Sequence, residues 1–231
     1  MRDLSVAVAV MICLAGAVGC NGQKETVKTE KPERKNYHKY LDAPYVPDSQ
    51  RGGKPGSGAK VAPRSPNAIP IALEDDLTKV RLRRRWKYIV VHHSGTDKGS
   101  AGSFNNAHKQ RGWLGVGYHF VIGNGTLSKE GEIETTFRWN EQIQGAHAGV
   151  EEYNEHGIGI CLVGDFNAGV PSPAQIKSLI GLTNYLQRRC GIPITQVLGH
   201  RDVKQTDCPG QLFPWAEFKR ALQQENAWRS S

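Results

Sequence analysis

Residues 158–164 read IGICLVG, a continuous apolar run closed by Gly157 on one side and Gly164 on the other. A run of this length with no polar alternation leaves no face for water, which fits a central strand of a sheet.

The neighbouring text supplies further members of that sheet. WKYIVVHH (86–93) is a second apolar strand. GYHFVIGNG (117–125) runs as a strand into an Asn-Gly turn, with EIETTF (132–137) as its return. FNNAHKQRG (104–112) reads as a short helix ending at Gly112. Residues 173–190 set Ile176, Leu179, Ile180, Thr183 and Leu186 at helical spacing, with Pro173 at the start and Gly191 just past the end. TQVLGH (195–200) is a last short strand, and PWAEFKRALQQ (214–224) a terminal helix. This order predicts an α/β fold, a single domain with a mixed central β-sheet flanked by helices, over residues 71–231.

The first twenty residues, MRDLSVAVAVMICLAGAVGC, join one early Arg to an apolar stretch and small residues before Cys20. Residues 1–20 are therefore expected to be an export signal, too short for a membrane span. The closing AVGC resembles the lipobox of bacterial lipoproteins, although Ala17 stands where that pattern prefers Leu. Lipidation of Cys20 would anchor the chain to a membrane; the alternative is ordinary cleavage nearby, with Cys20 an incidental thiol. Either way the expected location is the bacterial cell envelope, in the periplasm or at the cell surface.

Residues 21–70 are rich in Lys, Glu, Pro, Gly and Ser, with no sustained apolar period, and are expected to be a disordered tether. The formal charge is +8, and residues 24–64 carry ten Lys/Arg against five Asp/Glu, so much of the excess lies in that tail. A basic exported tail faces anionic envelope polymers. No RNA or DNA motif accompanies the basic run before Trp86, and no nucleic-acid partner is expected. A monomer is the default.

Without Cys13 and Cys20, three cysteines remain, Cys161, Cys190 and Cys208. An odd number leaves at least one without an intramolecular partner, and an unpaired thiolate suits metal ligation. A Cys161–Cys190 bridge and a pair of buried thiols are both open.

Three chemically capable groups fall at strand ends or just beyond them: His92 or His93, His200 and Cys208. Adjacent strand residues point to opposite faces, so only one of His92 and His93 can face a shared centre. Two histidines and one thiolate form a three-ligand zinc set whose fourth position stays open for catalysis.

The phrases VVHHSGT (90–96), GWLGVGYHFVIGNG (112–125), GAHAG (145–149), YNEHGIGICLVGDF (153–166) and GHRDVKQTDCPG (199–210) together resemble the zinc-dependent N-acetylmuramoyl-L-alanine amidases of the type 2 family. Peptidoglycan recognition proteins and phage amidase-type lysozymes share that family. The resemblance runs over about residues 86–220 in the family's order.

By that resemblance His92, His200 and Cys208 hold zinc, while His93 faces elsewhere. Tyr118 falls on the family's catalytic tyrosine and Thr206 on a position held by Lys or Thr in relatives. His147 corresponds to a histidine lining the substrate groove and Asn154 to a turn position there. Tyr118 has the competing reading of a core aromatic with a satisfied hydroxyl. Asp202 and Asp207 flank the ligands and are candidates to orient His200. His119 is expected to be structural, because strand alternation turns it away from Tyr118.

The implied reaction is hydrolysis of the amide joining N-acetylmuramic acid to L-alanine in peptidoglycan or muropeptides, in cell-wall remodelling or turnover. Such hydrolysis needs an activated water, stabilisation of the oxyanion and a proton for the departing nitrogen. The alternative is a non-catalytic peptidoglycan-binding module. A zinc deaminase is disfavoured, because its HxE and PCxxC signatures are missing.

Overall fold

Gly157–Leu162 forms the strand expected at the middle of the sheet, and every residue in it is buried. The computed structural model describes residues 64–230. The expected signal segment 1–20, with Cys20, and most of the expected tether lie outside the described residues.

In chain order the described elements are helix α1 (Ile71–Lys79), strand β1 (Tyr88–His93), helix α2 (Ala101–Gln110), strands β2 (Phe120–Ile122) and β3 (Ile133–Thr135), and helices α3 (Phe137–Asn140) and α4 (Glu151–His156). Strand β4 (Gly157–Leu162), helix α5 (Pro173–Cys190), a 3-10 turn at Ile194–Gln196, strand β5 (Val197–Gly199), and helices α6 (His200–Val203) and α7 (Trp215–Ser230) follow. The five strands make one sheet in the order β3-β2-β4-β1-β5. β4 runs parallel to β1 and β2, β1 runs parallel to β5, and β3 returns antiparallel to β2. The mixed α/β architecture read from the sequence is the one observed.

The four parallel strands, β2, β4, β1 and β5, align their C-terminal ends. Pairing of β1 with β4 sets His92 opposite Cys161, and pairing of β1 with β5 sets Val91 opposite Gly199, one residue before His200. Two distant histidines are thereby delivered to the same edge of the sheet by backbone register alone.

Helix α5 begins on a reciprocal cap, in which the Ser172 side chain accepts from Gln175 N–H and the Gln175 side chain accepts from Ser172 N–H, with Pro173 in its first turn. It ends at Gly191 in the left-handed region at φ 69°. Ile176, Leu179, Ile180 and Leu186 are buried in the main core with Phe218 and Leu222 of α7. Burying each such side chain stabilises the fold by about 1.5–3 kcal/mol.

Residues 64–70, assigned to the tether on sequence grounds, pack on the domain. The Ser65 hydroxyl donates to Glu225 at 2.5 Å, Asn67 Nδ2 donates to the same carboxylate at 2.8 Å, and Ile69 is 5% exposed. A single apolar residue among polar ones carries no periodicity, so nothing in the text marked it. Helix α1 was not read from the sequence either; its core-facing residues are two, Leu77, which is buried, and Leu73, which packs partly buried against the core.

Cys161 is buried on β4 and Cys190 closes α5, and both are free thiols, which leaves unpaired thiols of the two readings that were open.

Candidate metal centre

His92, His200 and Cys208 come together with one donor atom from each lying within 4.8 Å of the others. His92 is the fifth residue of β1, His200 opens α6 directly after β5, and Cys208 sits on the loop that follows. His92 Nδ1 is 3.7 Å from Cys208 Sγ, and the His92 and His200 rings are 4.5 Å apart between centroids. His92 is 1% exposed and Cys208 9%.

Alternation along β1 separates the two adjacent histidines as expected. His93 turns to the opposite face, where its Nδ1 accepts from Phe166 N–H at 3.0 Å and lies 3.7 Å from Asp165. Its backbone still serves the centre, because His93 N–H donates to Cys208 Sγ at 3.4 Å.

Burial controls the charge state here. It holds His92 well below the usual imidazole range and, to a lesser degree, lowers His200. It pushes the Cys208 thiol up to about 12, against the pull of the His93 N–H and the Arg201 charge. The three donors are therefore uncharged and crowded, the Arg201 charge being too weak to offset burial at the sulfur. Such a set fits a divalent ion of borderline softness: the ion's charge favours thiolate over thiol, and neutral imidazoles offer it lone pairs. Zinc matches these donors, which leave a fourth position for another ligand.

Tyr118 lies against this cluster, its ring 5.3 Å from that of His92. Burial raises its phenol well above the ordinary value, reinforced by Cys161 and Cys208, so the hydroxyl keeps its proton. Thr206 is half-buried, and its Oγ1 accepts from Cys208 N–H at 3.3 Å, which leaves its own O–H free to donate elsewhere.

Two residues expected to contact substrate are engaged within the protein. His147 is 8% exposed, with Nδ1 3.0 Å from His92 Nε2 and Nε2 3.2 Å from the Gly157 carbonyl. Asn154 Oδ1 accepts from His147 N–H and Ala148 N–H, both at 2.8 Å, which closes the turn. Asp202, a candidate to orient His200, instead accepts from Gly199 N–H at 2.7 Å. The partner of His200 Nε2 is the Ala148 carbonyl at 3.0 Å. His119 is buried, with Nδ1 accepting from Gly159 N–H and Nε2 donating to the Ile143 carbonyl, a structural role as expected.

Sequence reasoning did not single out His108 or Gly159, and it weighed Cys161 only as a bridge partner, a buried thiol or a leftover thiol, not as a neighbour of Tyr118. Cys161 faces Tyr118 and raises its phenol, and the His108 ring lies 6.1 Å from that of Tyr118. Gly159 stands inside a buried strand because a Cβ there would sit 2.5 Å from the His147 ring. A glycine within a strand is the signal that a close approach is required there.

A family model described as N-acetylmuramoyl-L-alanine amidase matches residues 82–211. The chain is similar to an N-acetylmuramoyl-L-alanine amidase of Sus scrofa, 31% identical over 128 residues, or 52% of this chain and 20% of that protein. It is also similar to peptidoglycan recognition protein 1 of Bos indicus, 31% identical over 160 residues, or 61% of this chain and 77% of that one. Among solved structures, the N-acetylmuramoyl-L-alanine amidase LysC from Clostridium intestinale aligns with TM-score 0.53 and 36% identity, covering 60% of this chain and 86% of that chain. The match thus spans about a fifth of the porcine protein but most of the bovine and clostridial ones.

Proposed function

Because the chain belongs to the N-acetylmuramoyl-L-alanine amidase family, we propose that it is a zinc-dependent hydrolase of the amide between N-acetylmuramic acid and L-alanine in peptidoglycan stem peptides. The observation that carries this reading is the convergence of His92, His200 and Cys208 beneath the protonated Tyr118.

In this reading His92, His200 and Cys208 hold the ion. When bound, zinc supplies Lewis acidity toward the scissile carbonyl and the attacking water. Tyr118 donates its retained proton as a hydrogen bond to the carbonyl oxygen as negative charge grows there. Thr206 can add a second, uncharged donor at the same oxygen. Burial of His92 and Cys208 keeps bulk water from competing with these contacts.

The competing reading is recognition of peptidoglycan without cleavage, supported by the likeness to a recognition protein. The complete donor set together with Tyr118 favours the amidase. The apolar stretch before Cys20 and its AVGC ending support export and lipid anchoring at Cys20, with the Lys-, Pro- and Gly-rich residues after it tethering a monomeric domain at the cell envelope for wall remodelling or turnover.

The test is zinc content paired with cleavage, on the full chain purified without chelators. One zinc per chain with release of intact stem peptides from muropeptides, located by mass spectrometry, is the expected result. A folded, zinc-loaded protein that releases none from polymer or fragments is a recognition protein instead.

A further inference from the structure

The turn at residues 145–148 holds both histidine donors of the metal centre. The Gly157 carbonyl only accepts, so His147 Nε2, 3.2 Å away, must carry a proton. That leaves His147 Nδ1 as a bare acceptor, and His92 Nε2 at 3.0 Å must donate to it. His92 Nδ1 is then the nitrogen with the free lone pair, and it is the atom 3.7 Å from Cys208 Sγ. The same logic applies one residue on. The Ala148 carbonyl only accepts, so His200 Nε2 carries its proton and His200 Nδ1 is bare.

We propose that this turn is the orienting support of the metal centre, with His147 acting as a positioning residue that fixes the His92 tautomer and the Ala148 carbonyl doing the same for His200. The inference rests on the zinc reading of the site, and it moves His147 out of the substrate groove.

Three further observations support it. Both ring nitrogens of His147 are occupied, leaving none for substrate. The ring is wedged where a Cβ on Gly145 or Gly159 would collide with it, so its orientation is set sterically. The turn is itself held, since Asn154 accepts from His147 N–H and Ala148 N–H through Oδ1 and from Gly145 N–H through its carbonyl, all at 2.8 Å. Outer partners of metal-binding histidines act in this way, and losing one typically lowers metal affinity by about 10–100-fold.

The experiment uses the metal-free full chain labelled with 15N at histidine, together with zinc competition titrations of the wild type, His147→Gln and His147→Leu. Long-range 1H–15N spectra of the wild type should show His92, His147 and His200 each protonated on Nε2. His147→Gln keeps an acceptor and a donor on a side chain of similar reach, and its zinc affinity should stay within about threefold of the wild type. His147→Leu keeps neither and should lose about 10–100-fold. A His92 protonated on Nδ1, or a folded His147→Leu chain that binds zinc as the wild type does and only raises KM, overturns the proposal. If His147→Leu does not fold, the wild-type tautomers and the glutamine variant decide. A wild type that takes up no zinc would remove the amidase reading, whereas the tautomers of the metal-free protein would still test the relay.

Discussion

The Tyr118 ring lies 5.3 Å from that of His92, and the phenol is raised well above its ordinary value by burial and by the neighbouring thiols of Cys161 and Cys208. The hydroxyl is consequently a proton-bearing donor at neutral pH. Tyr118→Phe should retain zinc and thermal stability while lowering kcat by about 10²–10³-fold, the usual cost of one lost oxyanion donor. Steady-state kinetics on muropeptides beside metal analysis will show it; unchanged kcat removes Tyr118 from the chemistry.

Cys208→Ser exchanges a soft thiolate for a neutral alcohol. Zinc affinity should fall by more than the roughly 10–100-fold expected from loss of an outer partner. Competition against a chromogenic chelator measures this, and a near-normal affinity would show that the sulfur is not a ligand.

Gly159→Ala places a methyl group 2.5 Å from the His147 ring, inside a fully buried strand. The expected cost is about 1–3 kcal/mol of stability from overpacking. Zinc affinity should fall with it, because the displaced imidazole also supports His92. Urea unfolding and metal titration of the same variant separate the two effects, and a variant as stable as the wild type contradicts the packing argument.

Burial lowers His147 from 6.5 to about 4 and holds His119 well below its usual range. The unfolded chain therefore binds protons that the folded chain refuses as pH falls below 6.5. The stability due to these groups is complete above pH 6.5 and declines toward pH 4, by about 3 kcal/mol for His147 alone. Urea denaturation of metal-free protein across pH 7 to 4 should follow that slope; a flat profile would mean that these imidazoles are solvated.

Cys20→Ser should abolish lipid labelling and move the protein from the membrane fraction to the soluble exported fraction. If the variant fractionates as the wild type does, the lipobox reading of AVGC fails and ordinary cleavage stands.

Much of the fold was legible where one residue pattern served one purpose. IGICLVG reads as central because both of its faces are apolar, and α5 reads as a helix because its apolar residues recur at helical spacing and Pro173 and Gly191 mark its ends. Short elements were not legible. α3 and α4 are 4 and 6 residues long, too short for a helical period to show. In the site, the strand-end placement of His92 and His200 could be read, whereas the work of His147, Asn154 and Asp202 could not, since each forms contacts with atoms that have no signature in the text.

The sequence by itself determined the family, the α/β class, the three candidate donors and the opposition of His92 to His93, because strand alternation and recurrent phrases are local properties of the chain. Only the tertiary structure decided which nitrogen of each histidine is left bare, why Gly159 has no side chain, and that residues 64–70 belong to the folded body. Those outcomes depend on backbone carbonyls and ring faces brought together by strand register and turn closure, and a carbonyl reads the same at every position until the fold gives it a partner.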